Sequence, residues 1–211
     1  DLLLESPLEG FNTIHLRGNH EQTLLDFLDH PKAVGSWLTF GGMAALHSYG
    51  VRVNPGYTRQ DLPDIRDELK FRLPPENLQF SPNLKVMHQA GSYCFVHAGV
   101  RPGIPLQEQR NEDLLWIRED FTRSTETHEH IVVHGHSINP EVEFLPNRIG
   151  IDTGAVYGGP LTCLILPDIT SDYQYLVNSS AMTNRYRPVL PAAVANGCVS
   201  RVLVAIWNRT G

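Results

Sequence analysis

Cysteine is scarce in this chain, with three residues among 211 and no paired spacing; two lie inside the apolar runs Tyr93-Cys94-Phe95-Val96 and Thr162-Cys163-Leu164-Ile165. Such usage argues against a disulfide framework and for reduced core thiols in a cytoplasmic protein. Long apolar runs are lacking too. None approaches the roughly 18 residues needed to cross a bilayer, and the first residues do not follow the basic-then-apolar order of a signal peptide, so no membrane partner is expected. Positive charge is in deficit: 17 Lys and Arg against 23 Asp and Glu give a formal net charge of −6. Without a broad basic field, nucleic acid is not an expected partner. No internal repeat or low-complexity tract occurs, which excludes solenoid and array architectures.

Apolar residues are plentiful, at 41% of the chain, enough to bury the core of one globular domain. The chain opens at Asp1 within a helix-like run, Asp1-Leu2-Leu3-Leu4-Glu5, which reads as the end of a helix whose start is cut off. Residues 6–10 read as a turn and 11–16 as a short strand. Helical spacing is expected over 23–28 and 36–46, with Gly41-Gly42 as a weak point in the second, then a loop over 48–60. Leu62, Ile65 and Leu69 fall three or four apart and predict an amphipathic helix over 61–73 that stops at Pro74-Pro75. From Leu78 onward short strands are expected at 84–88, 93–96, 131–134, 148–151, 161–166 and 173–177. Ala90-Gly91-Ser92 suits a hairpin turn between the first two. Helices followed by strands predict a layered α/β fold with a mixed or antiparallel second half. Residues 1–177 read as one domain. Residues 178–211, with an apolar stretch at 199–207, read as a C-terminal extension.

Three segments share one design, an extended run that reaches a metal-capable side chain beside glycine: Leu16-Arg17-Gly18-Asn19-His20-Glu21, Phe95-Val96-His97-Ala98-Gly99-Val100 and Val132-Val133-His134-Gly135-His136-Ser137. Strand ends that meet at one sheet edge bring distant residues to one site, and small neighbours leave room for a ligand. Asn oxygen and His nitrogen suit divalent ions of intermediate hardness, such as Mn²⁺, Fe²⁺ or Zn²⁺. Period-two alternation places His134 on the same strand face as His136, where a structural or supporting role is expected. His128 and His130, in a Thr-Glu-rich stretch, are expected to be solvated.

Together, and with Asp113-Leu114-Leu115-Trp116-Ile117-Arg118 and Asn147-Arg148-Ile149-Gly150-Ile151-Asp152-Thr153-Gly154, these segments resemble the calcineurin-like metallophosphoesterases, more narrowly the bacterial PPP-type serine/threonine protein phosphatases, over residues 1–177. The resemblance implies a layered β-sandwich flanked by helices, truncated at its N-terminus, and an enzyme that hydrolyses phosphoesters by in-line attack of a hydroxide bridging two metal ions, Mn²⁺ above Fe²⁺ or Zn²⁺. It implies Asn19, His97 and His136 as metal ligands, His20 as the acid that protonates the leaving alkoxide, and Arg118 as a grip on the phosphoryl oxygens. Arg17 is expected to be structural, Glu21 to cap or orient His20, and Asp152 to support the site. The expected substrate is a phosphoprotein or a small phosphoester.

The family's other metal is held by an Asp-x-His pair and by a Gly-Asp-x-x-Asp-Arg-Gly segment, and neither occurs in these 211 residues. On this reading the chain is a fragment, and as written is expected to be inactive or nearly so. Two alternatives keep the motifs, a symmetrical dinucleoside tetraphosphatase and an inactive module that holds phosphate without cleaving it. A third rests on Ile151-Asp152-Thr153-Gly154-Ala155, which matches one half of an aspartic protease site.

Overall fold

The structure of the chain, a computed structural model, describes residues 13–166 and the backbone of strands at 174–178 and 202–205. The expected helix end, turn and first strand residues at 1–12 lie outside the described residues. The chain divides after Val86 into two compact units. Among the described residues no helix is long and apolar enough to cross a membrane.

The first unit is helical. Helix α1, Asn19–Asp29, starts where Gly18 is extended and its N–H donates to the Glu21 carboxylate at 2.9 Å, so an acid in the first turn satisfies a donor the helix cannot. Glu21 therefore caps the helix main chain. Arg17 is structural as expected: it donates to Gln22 Oε1 at 2.8 Å and to the Pro82 carbonyl at 2.7 Å. The expected helix over 36–46 is broken. A 3₁₀ turn runs Gly35–Thr39, and helix α2, Gly42–Ser48, begins only after Gly41 takes φ 97°. The cause is steric, since a Cβ on Gly42 would lie 2.5 Å from Trp37 Cδ2; the indole packs directly on the backbone.

Helix α3, Leu62–Arg72, follows the predicted apolar spacing, with Leu62 and Leu69 buried and Lys70 and Arg72 in its last turn. Pro74-Pro75 ends it, but Pro75 also opens helix α4, Pro75–Phe80, where strands were expected to begin. Proline lacks the N–H that the first helical position cannot use, so the same residue stops one helix and starts the next. Phe27, Leu28, Trp37, Leu38, Leu46, Val51 and the buried leucines of α3 form the core, with the Phe27 and Trp37 rings 5.2 Å apart.

The second unit carries the strands. The hairpin β1 (Met87–Ala90) and β2 (Tyr93–Val96) is antiparallel and turns at Gly91, φ 55°. After β2 come two short helices, α5 (Asn111–Trp116) and α6 (Glu119–Thr122), and then β3 (Ile131–His134), which lies parallel to β2. Strand β5 (Arg148–Gly150) is parallel to β3, and β4 (Glu143–Phe144) closes the five-stranded mixed sheet in the order β1-β2-β3-β5-β4. A separate antiparallel sheet has the order β7-β6-β8, from β6 (Leu161–Leu166), β7 (Gln174–Asn178) and β8 (Val202–Ala205). The fold is mixed α/β. Cys94, fully buried in β2, has its thiol pushed up to about 12 by burial, in keeping with an inert core cysteine.

Replacing Phe27 by Ala should cost about 3–5 kcal/mol, read as a lower urea midpoint, because the fully buried ring leaves a cavity. A second outcome concerns pH. The Thr58 N–H and hydroxyl donate to Asp61 at the start of α3 and hold its carboxyl below the ordinary 3.8. A depressed folded value contributes stability above the unfolded pKa and loses it as pH falls through the folded one. Asp61→Ala should thus lower the melting temperature at pH 7, and the gap from wild type should close on titration below that range.

Candidate active site

Three parallel strands end at the same edge. His97 follows the last residue of β2, His134 ends β3 with His136 two residues beyond, and Asp152 lies two residues past β5. In sheets of parallel strands the carboxyl ends are where ligands collect, because the connecting loops diverge there. The loops are stitched to one another. The Gly135 N–H donates to the His97 carbonyl at 2.9 Å, the Ala98 N–H to Leu114 at 2.9 Å, and the Asn139 N–H to Asp152 at 3.0 Å.

The stitching brings two predicted ligands together. His97 Nε2 and His136 Nδ1 are 3.1 Å apart, with ring centroids 4.9 Å apart and both residues buried. His136 reaches this position through a left-handed backbone, φ 62°, where all other described positive-φ residues are glycines. Such a conformation strains a residue with a Cβ, and strain of this kind gathers at functional sites. Arg118, exposed at the N-terminal end of α6, donates from Nη1 to the His136 carbonyl at 3.1 Å, so the predicted phosphate grip is attached to the predicted metal ligand. Trp116, half exposed at the end of α5, sets its ring edge-on to His136 at 6.2 Å.

Beneath this surface the packing is tight. Phe121 of α6 is buried, its ring edge-on to His134 at 4.9 Å, and a Cβ on Gly99 would meet Phe121 Cδ1 at 2.3 Å. His134 is itself buried. Burial, helped by the nearby Arg148 charge, pushes its imidazole down to about 4, so it is neutral at physiological pH, and its Nδ1 lies 3.1 Å from the Gly135 carbonyl. The structural role expected of it is the one its surroundings suit. His128 and His130 were expected to be solvated and are instead half-buried; for His128 desolvation outweighs Glu126 and lowers its pKa. Asp152 uses Oδ1 to accept from the Gly154 N–H at 3.0 Å, which pins the loop after β5.

Asn19 and His20 belong to the first unit, in the first turn of α1. Asn19 is buried. His20 has its pKa lowered by burial, while the Glu21 carboxylate pulls the other way.

The imidazole pair can be tested against a metal on geometry alone. Two nitrogens each about 2.0–2.1 Å from one ion stand about 2.9 Å apart at a right angle and about 3.4 Å apart in a tetrahedron. The observed 3.1 Å falls between. At that separation either one nitrogen donates to the other or both lone pairs meet a shared cation, so the pair fits as two neighbouring ligands. Among the described residues, no group of three or more His, Cys, Asp or Glu side chains is placed to hold an ion.

No family model matches the chain. It is 45% identical over 56 residues to the symmetrical bis(5′-nucleosyl)-tetraphosphatase of Janthinobacterium sp. (strain Marseille), a match covering 26% of this chain and 19% of that protein. The matched chain thus spans less than a fifth of the length of its curated relative. Among solved structures, it is similar to the crystal structure of a protein provisionally assigned as a diadenosine tetraphosphatase, with a TM-score of 0.47, 16% identity, and coverage of 79% of this chain and 68% of that one. Both proteins bear the names of hydrolytic enzymes.

The left-handed conformation of His136 gives an outcome that does not depend on activity. His136→Gly should be more stable than His136→Ala by about 1 kcal/mol, because only the alanine keeps a Cβ in the strained region. Equal unfolding midpoints for the two variants would contradict it.

Proposed function

We propose that this chain carries part of the active site of a metal-dependent phosphoester hydrolase of the calcineurin-like metallophosphoesterase type. The observation that carries the reading is the buried His97–His136 pair with Arg118 bonded to the same backbone. Within that class, a symmetrical dinucleoside tetraphosphate is the better-supported substrate. The support is the 56-residue similarity to a protein of that name, whereas the phosphoprotein substrate rests on the motifs alone.

In this reading His97 and His136 would hold one divalent ion between their facing nitrogens. When bound, that ion supplies Lewis acidity toward a phosphoryl group. Arg118 brings a planar cation with paired donors to the phosphoryl oxygens, and its bond to the His136 carbonyl fixes the distance between the cation and the imidazole pair. Gly99 leaves room for the buried Phe121 ring, which packs edge-on to His134 beneath the pair. Asn19 as a further ligand and His20 as proton donor rest on the Gly18-Asn19-His20-Glu21 segment alone. A donor at neutral pH must hold its proton. Burial works against that at His20 and the Glu21 carboxylate works for it.

The test uses the full-length protein with Mn²⁺ and diadenosine tetraphosphate. A symmetrical cleavage yields ADP as the sole nucleotide product, whereas AMP with ATP, or no turnover beside rapid hydrolysis of a phosphopeptide, would overturn the substrate. His97→Ala and His136→Ala should each lower bound metal on elemental analysis. His20→Ala should keep the metal and lose about 10²–10⁴-fold in turnover; equal metal loss in all three variants would remove the acid role.

A further inference from the structure

Arg148 opens β5, with only 5% of its surface exposed. Its guanidinium is occupied on every side. Nε donates to Glu143 Oε2 at 2.8 Å, Nη1 to the Ser124 carbonyl at 2.9 Å and Nη2 to the Thr122 carbonyl, while the cation lies 5.8 Å from the Phe121 ring centroid. Its neighbour Asn147 doubles the grip, donating to the carbonyls of Ser124 at 3.0 Å and Glu126 at 2.9 Å. One of these contacts falls on Thr122, the last residue of α6, and three on the segment that follows it. Burying a guanidinium is costly, and an apolar side chain of similar volume often serves stability as well or better. Arginine differs from such a filler in direction: its rigid fork fixes where the bonded carbonyls lie.

That direction matters because α6 is only four residues long. Thr122, held by Arg148, is its last residue, and Arg118, bonded to the His136 carbonyl, is its N-cap. Between them Phe121 is wedged against Gly99, His134 and Arg148 itself. A second tie on α6, from Arg101 to Asp120, is solvent-exposed and so screened and weak by comparison. We infer that Arg148 is a positioning residue: it anchors the C-terminal end of α6 to the sheet and thereby sets where Arg118 stands relative to His136. The inference rests on the hydrolytic reading for its kinetic consequence and on this structure alone for its geometry.

The experiment is a double-substitution cycle in the full-length, Mn²⁺-loaded protein, using an aryl phosphate as substrate and inorganic phosphate as inhibitor. Arg148→Met should raise KM and the phosphate inhibition constant about tenfold, with Arg148→Lys in between, and the same change in an Arg118→Ala background should add less than about twofold. A purely structural Arg148 would lower the melting temperature without that split. Unchanged constants in Arg148→Met, or the same tenfold rise without Arg118, would overturn the inference. If Arg148→Met fails to fold, Arg148→Lys and Glu143→Gln carry the same comparison. The second arm needs no turnover: in the metal-free protein, Arg148→Lys and Arg118→Ala should displace the same His136 ring and backbone resonances, without adding. Independent or absent displacement sinks the positioning role. Coupled displacement in a protein that hydrolyses no phosphoester would leave it standing and remove the hydrolytic reading instead.

Discussion

The parallel pairing of β2, β3 and β5 is the constraint from which the site of the second unit follows. Pairing of Phe95 with Val133 and of Val133 with Ile149 fixes the register, and a shift by one residue would turn every side chain to the opposite face. With that register set, His97, His136 and Asp152 leave the sheet at one edge. Loop hydrogen bonds then bring the two imidazoles to contact distance. The ladder is buried where it matters: Cys94, Phe95, Val96, Val132 and Val133 have almost no exposed surface. Disturbing this apolar stack would displace the histidines before any polar contact was touched.

Much of the architecture was legible because it depends on local rules. The apolar spacing of Leu62, Ile65 and Leu69, the glycine hairpin after Ala90 and the branched run Ile131-Val132-Val133 each signal their element directly. The departures have separate causes. Spacing over 36–46 suggested one helix, but no periodicity shows that Trp37 lies on the Gly42 backbone. Two consecutive prolines read as a stop, though the second is also suited to begin a helix.

The candidate site divides in the same way. His97 and His136 could be proposed because small residues flank strand ends, and their proximity is a tertiary fact that the strand order supplies. The left-handed backbone of His136 carried no signal, since histidine, although commoner there than most residues with a side chain, adopts that region only in a small minority of cases. Arg148 was equally opaque. Alternation along a strand assigns residues to faces but cannot say that a charged one is buried, and two of its three acceptors are main-chain carbonyls more than twenty residues away, which no side-chain pattern records.

Trp116 has a further consequence for how the molecule can be observed. Its half-exposed indole touches the His136 ring edge, whereas Trp37 is enclosed in the first unit's core. These two of the chain's three tryptophans thus inhabit separate units and contrasting polarities. Once Trp207 is replaced by Phe, one responds to the chemistry at the histidine pair and the other to the integrity of the helical core, an optical reporter for each.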